Sequence, residues 1–227
     1  MQLIKKGKTK DVYRLPNNTI LLKFKDAVTG GADGMPDPGG NLVVGEKADA
    51  GLNALKVSKY FFEILKKKKI PTHYVSADVS KNEMTVRPAT IFGKGLEVVI
   101  RYMAVGSFAR RYALYVSEGD PICPPVLEVT IKDDERNDPP INKNILASLN
   151  IMTPKQLDDM RAMGFKIANI VREECEKKGM VLYDIKLEFG IVDGKLALID
   201  EISAGNMRAY VKGKVLSYNE LSERILK

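Results

Sequence analysis

Five ionisable residues share one apolar stretch, "VLYDIKLEFGIVDGKLALIDEI" (181–202): Asp184, Lys186, Glu188, Asp200 and Glu201. Two chemistries fit them. Hard divalent ions take carboxylate oxygens together with phosphates, and a lysine neutralises charge on a transferring phosphoryl group. Ordinary ion pairing across a sheet is the other reading. A second group lies in "KKGKTKDVY", where Gly7 lets the backbone approach a polyphosphate and Lys8 and Lys10 supply charge. This is neither a Walker A loop nor GxGxxG.

These side chains need strands to hold them. Alternation puts Val181, Tyr183, Ile185, Leu187 and Phe189 on a core face and leaves Asp184, Lys186 and Glu188 on the other. The return strand, "KLALIDE", follows Asp193-Gly194. A two-residue turn would pair Lys186 with Glu201, whereas a three-residue loop with left-handed Gly194 would pair it with Asp200. Both registers stay open, and either brings three carboxylates and a lysine to one patch.

Residues 1–85 read as β-rich with one helix. Strands "KTKDVYRL" and "ILLKFK" flank a "PNNT" turn. A helix of three to four turns is expected in "LNALKVSKYFFEILKKKK", from the spacing of Leu52, Leu55, Tyr60, Phe61, Ile64 and Leu65. Its closing lysines complement the helix dipole. Residues 28–51, dense in Gly, Pro and Asp, are long for a plain connection and form a candidate functional loop. A second helix is expected from Thr153 to Lys178, with Thr153 as N-cap, Pro154 in the first turn, Gln156 closing a capping box and Gly179 just past the end.

Composition narrows the function classes. A chain of 227 residues with 44% hydrophobic content can bury a substantial core. No apolar run approaches the roughly 20 residues that span a bilayer, and "MQLIKKGKTK" lacks a signal-peptide core, so a cytoplasmic protein without a membrane partner is expected. Cys123 and Cys175 show no CxxC spacing, which argues against a disulfide framework or thiolate zinc site. The single histidine, His73, excludes sites needing two imidazoles. A net charge of +7 suits nucleic acid or polyanionic substrates. Few aromatics are interleaved with the lysine run, which argues against nucleic acid as partner.

In order, "GKTKDVY", "LNALKVSKYFFEIL", "IPTHYV", "LEVVIRYMAVGSFARRY", "LEVTIKDDERNDPPIN", "LYDIKLEFGIVDGKLALIDEIS" and "MRAY" resemble the SAICAR synthetase (phosphoribosylaminoimidazole-succinocarboxamide synthase) family over nearly the whole chain. The resemblance implies an α+β fold of two lobes, a kinase-like nucleotide lobe (1–85) and an ATP-grasp-like lobe (86–227) carrying substrate and metal residues, with ATP between them. It implies an ATP- and Mg2+-dependent carbon–nitrogen ligase that joins carboxyaminoimidazole ribonucleotide to L-aspartate in de novo purine biosynthesis. A homo-oligomer, in the family a dimer, is implied as well. Carried over by residue, Lys186 and Asp184 become catalytic. Lys8, Thr9, Lys10, Val12, Arg87, Glu188 and Asp200 bind ATP, and Glu188, Asp200 and Glu201 bind the metal. Arg101, Ser107 and Arg208 hold the ribonucleotide. Lys132, Asp134 and Asp138 hold aspartate.

Some positions depart from the family. Tyr102 stands where Asn commonly follows the arginine, Ser203-Ala204-Gly205 replaces Ser-Pro-Asp, "AYVKGK" replaces the Trp-Asp segment, and residues 30–47 carry extra Gly and Pro. These departures lie on the substrate side and raise one alternative: a related carboxylate–amine ligase, or a phosphotransferase, with other substrates.

Overall fold

The computed structural model describes residues 1–31, 34–38, 40 and 42–227; positions 32, 33, 39 and 41 of the candidate functional loop lie outside the described residues. Two compact units form. The first comprises Met1–Thr90, Gly190–Asn206 and Ser217–Lys227, and the second Ile91–Phe189 and Met207–Leu216. The chain therefore returns twice to its first unit, unlike a single division between residues 85 and 86.

In the first unit, β1 (Gln2–Lys6), β2 (Lys10–Arg14) and β3 (Ile20–Phe24) form an antiparallel meander. The bend between β1 and β2 requires glycine, because a Cβ on Gly7 would lie 2.3 Å from the Lys10 carbonyl oxygen. Within the loop expectation lie two paired strands, β4 (Ala27–Gly30) and β5 (Leu42–Glu46). Next comes α1 (Ala50–Lys67), an 18-residue helix longer than its apolar periodicity suggested. Its start at Ala50, two residues before the expected stretch, was obscured by Asp49 and Gly51. Asp49 at the N-cap is left-handed and makes no side-chain cap, while Asp26 accepts from the Gly51 amide at 3.0 Å. Leu55, Phe61, Phe62 and Leu65 are fully buried, each contributing ~1.5–3 kcal/mol by burial. The lysines at 66–69 stay exposed at the helix end. β6 (Tyr74–Asp78) and β7 (Glu83–Val86) complete a sheet ordered β1-β2-β3-β7-β6.

After a two-residue strand, β8 (Thr90–Ile91), the second unit begins with β9 (Leu96–Met103), α2 (Gly106–Arg111) and β10 (Pro121–Ile131). Then follow α3 (Lys143–Ser148), α4 (Pro154–Lys177) and β11 (Val181–Val192), whose last three residues belong to the first unit. α4 has its expected capping box of Thr153 and Gln156, and Gly179 beyond it is left-handed at φ 68°. It packs on one face of the sheet: a Cβ on Gly164 would meet side chains of Leu127, Ile100 and Val98. β12 (Lys195–Ile199) pairs with β11 and belongs to the first unit. β13 (Met207–Val211) and β14 (Lys214–Val215) extend the second unit's sheet, and α5 (Tyr218–Leu226) packs on α1 in the first unit. Helices with antiparallel ladders give the expected α+β class.

β11 does not alternate as the sequence suggested. Leu182 pairs with Ala209 and Asp184 with Arg208, so Tyr183 is one extra residue against β13. This bulge shifts the phase. Leu182 is buried, then Ile185, Leu187 and Phe189 are buried, while Val181 is exposed and Tyr183 half-buried.

Candidate active site

The face of the second unit's sheet away from α4 carries the charges. Across the strands, Asp184 lies opposite Arg101 of β9 and Arg208 of β13, and Glu188 lies opposite Glu97 of β9. Glu128 and Thr130 of β10 lie in line with Val99 and Glu97. Register alone thus brings residues over 100 positions apart into one row.

Arg101 is buried at one end of that row. Its Nε donates to Glu128 Oε2 at 2.6 Å, Nη1 to Asp184 Oδ2 at 3.0 Å, and Nη2 to Ser107 Oγ at 3.0 Å. Arg208 Nη1 donates to the same Asp184 Oδ2 at 2.5 Å. Gly106, at φ 57°, leaves room for it: a Cβ there would sit 2.7 Å from Arg208 Nη2. Arg101, Ser107 and Arg208 therefore come together. Asp184, buried between two guanidinium groups, is held as an ion-pair partner.

At the other end, Lys186 Nζ donates to Glu97 Oε1 at 2.8 Å and Lys132 Nζ to Glu188 Oε1 at 2.6 Å. Two glutamates directly opposite in a sheet repel, and the two lysines compensate. Burial alone would lower the Lys186 pKa, but Glu97, with help from Glu188, raises it above its ordinary value. Lys186 is a fixed cation. Neither register that would set it opposite Asp200 or Glu201 forms. The turn is the two-residue form, with Asp193 at φ 50° and Gly194 at φ 75°, but β12 ends at Ile199 and Asp200 turns left-handed at φ 64°, so the ladder stops before either acid.

In the segment expected to hold aspartate, Asp138 Oδ1 accepts from the Asp133 amide at 2.8 Å and shapes the loop. Asp134 starts an exposed 3-10 turn, Asp134–Arg136.

In the first unit, Lys10 joins the acids that follow β12, with Nζ 2.9 Å from Asp200 Oδ1 and 2.6 Å from Glu201 Oε1. Burial would lower the Lys10 pKa, but the two carboxylates outweigh it and hold it well above normal. Its ammonium also lies 5.3 Å from the Phe24 ring centroid. His73 supports this turn through Nε2, which donates to the Asp200 carbonyl at 3.0 Å. Burial pushes the imidazole down to about 4, so it is neutral near pH 7. Asn206 Nδ2 donates to the Glu201 carbonyl at 2.7 Å, bracing the same turn within Ser203-Ala204-Gly205. Lys8 is exposed, Thr9 receives the Lys25 amide on its carbonyl at 2.9 Å, and Val12 pairs with Leu22. Arg87 Nη1 donates to Asp193 Oδ2 at 2.9 Å and Nη2 donates to the Thr72 carbonyl.

Glu201 also provides a test of magnesium. With Oε1 on Lys10, its buried Oε2 has no hydrogen-bond partner, a costly state that a cation would relieve. Among the described residues no group of three or more His, Cys, Asp or Glu is arranged for a metal. Mg2+ is commonly held by one or two carboxylates plus phosphates, so Asp200 and Glu201 fit it.

Sequence reasoning missed Glu97, Glu128 and Asn206. Glu97 and Glu128 had a signal, since each is a lone acid inside an apolar strand segment, "LEVVI" and "VLEV", where an unpaired charge is rare. Asn206 had none.

The sequence profile of SAICAR synthetase matches residues 3–223. The chain belongs to the SAICAR synthetase family. It is 51% identical over 228 residues to the phosphoribosylaminoimidazole-succinocarboxamide synthase of Clostridium tetani, covering 100% of both chains. It is 34% identical to that of Sulfurisphaera tokodaii, covering 92% of this chain and 84% of the relative. The solved structure of the Ehrlichia chaffeensis synthase superposes with a TM-score of 0.87 at 27% identity, covering 99% and 98% of the two chains. A SAICAR synthetase in complex with ADP gives 0.84 at 26%, covering 97% and 93%. Against the SAICAR synthetase pattern, Tyr102 is a packing change. It points away from Arg101, donating to Asn169 Oδ1 of α4 at 3.0 Å, with Arg172 4.9 Å from its ring centroid.

Proposed function

We propose that this chain uses ATP to join carboxyaminoimidazole ribonucleotide and L-aspartate, giving SAICAR, ADP and phosphate. The observation that carries this reading is the SAICAR synthetase match over residues 3–223. Nucleotide use is supported by the family structure solved with ADP.

The chemistry must overcome a poor electrophile. Phosphoryl transfer to the ribonucleotide carboxylate makes an acyl phosphate, the aspartate amine attacks it, and phosphate leaves. Arg208 and Ser107, with Arg101 behind them, hold the ribonucleotide phosphate through charge-assisted bonds. Lys186, kept cationic by Glu97, stabilises charge on the transferring phosphoryl group. Lys10, with Lys8 and the bend at Gly7, attracts the nucleotide phosphates; Thr9, Val12 and Arg87 shape the nucleotide site. Lys132 receives an aspartate carboxylate, and Asp134 or Asp138 its ammonium. Asp200 and Glu201 would hold Mg2+, which when bound would neutralise phosphate charge. A cytoplasmic homodimer completes the reading; no helix among the described residues is long and apolar enough to cross a membrane.

The test is direct. Purified protein with ATP, Mg2+, carboxyaminoimidazole ribonucleotide and L-aspartate should yield a product of SAICAR mass and stoichiometric ADP. ADP release only with another acid or amine would overturn the substrate assignment in favour of a related ligase.

A further inference from the structure

Glu128 touches two arginines and is assigned no part in the reading above. Its side chain, 10% exposed, projects from β10; Oε2 accepts from Arg101 Nε at 2.6 Å and Oε1 accepts from Arg111 Nη2. Arg101 belongs to β9, and Arg111 is the last residue of α2, whose first two residues are Gly106 and Ser107. One carboxylate thus ties β10 to β9 and to the far end of α2. Arg101, so held, has its Nη2 on Ser107 Oγ and its guanidinium 5.6 Å from the ring of Phe108, also in α2.

We propose that Glu128 is a positioning residue for the ribonucleotide phosphate: it fixes Arg101 and α2 so that Ser107 and Arg208 face the anion together. This rests on the ribonucleotide reading given above. The charges sharpen it. Glu128 places a negative charge against Arg101 and Arg111, beside the groups that an incoming phosphate would meet. Glu128 therefore has two separable effects. Its charge opposes phosphate binding, whereas its bracing promotes it. If charge alone mattered, Glu128→Gln would tighten binding. If bracing dominates, the same change loosens it, because misplaced donors lose bonds they would have made.

Calorimetry with carboxyaminoimidazole ribonucleotide, and with ribose 5-phosphate as a minimal probe, reads the sign. Glu128→Gln is expected to raise both Kd values about tenfold and the ribonucleotide KM likewise, with kcat and the ATP KM within about twofold of wild type. Glu128→Asp keeps the charge but withdraws the carboxylate by one methylene, so it too should weaken binding; it carries the test if the glutamine variant does not fold. Unchanged or tighter binding in the folded variants, or a lowered Tm with Kd unchanged, overturns the proposal alone. A wild-type chain that binds neither probe overturns the ribonucleotide reading and this proposal with it.

Discussion

The catalytic role proposed for Lys186 would sit on top of a structural one. Removing Lys186 strands the buried Glu97 carboxylate, whose other side-chain hydrogen bond among the described residues is a long one from Thr130 Oγ1 at 3.5 Å. Lys186→Met is therefore expected to cost ~1–3 kcal/mol in urea unfolding and to lower kcat on the order of 100-fold. Adding Glu97→Gln should recover most of the stability and none of the turnover. A double variant that recovers both would make Lys186 a structural ion-pair partner. The two cysteines give a simpler contrast. Burial, with Glu174 and Glu176 nearby, pushes the Cys175 thiol up to about 12, whereas Cys123 is exposed. A thiol reagent near pH 8 should modify Cys123 in the folded protein and reach Cys175 only on unfolding; two fast equivalents would contradict this. The charged residues of 181–202 were legible as a group, because acids in an apolar strand are conspicuous. Their partners were less so, since Glu97, Arg101 and Lys10 meet them only through strand register and tertiary turns.

At the level of elements, local signals read best. The α4 cap was legible because a capping box is a contact between residues three apart. Thr153→Ala should lower unfolding free energy by ~1 kcal/mol with kcat unchanged, measured by urea titration. The phase of β11 was not legible, since the extra residue at Tyr183 is defined only against β13. Nor was the end of β12, where the left-handed Asp200 sets both acids outside the ladder. Gly106 links element geometry to the proposed ribonucleotide site. A methyl group there would strain a left-handed backbone and crowd Arg208. Gly106→Ala is expected to raise the ribonucleotide KM on the order of tenfold and leave the ATP KM unchanged. An unaltered ribonucleotide KM would detach Arg208 from that substrate.

For the whole molecule, the orphaned Glu201 Oε2 points to a cation requirement. ATP turnover should stop in excess chelator and return with Mg2+ but not specifically with Zn2+, because the donors are carboxylates. Undiminished turnover in chelator would end the magnesium reading. The division of the chain into units was not legible, because no linker composition marks the returns at Gly190 and Ser217. Those returns bear on how the protein is made. Synthesis proceeds from the N-terminus, and domains generally fold as they emerge. Here the N-terminal unit lacks β12 until residue 199 is added and α5 until residue 226, so Leu221 and Ile225, both buried, join it last. The unit that begins first on the ribosome is thus the one finished last, and a ribosome stalled before Ser217 would hold α1 without its helical neighbour.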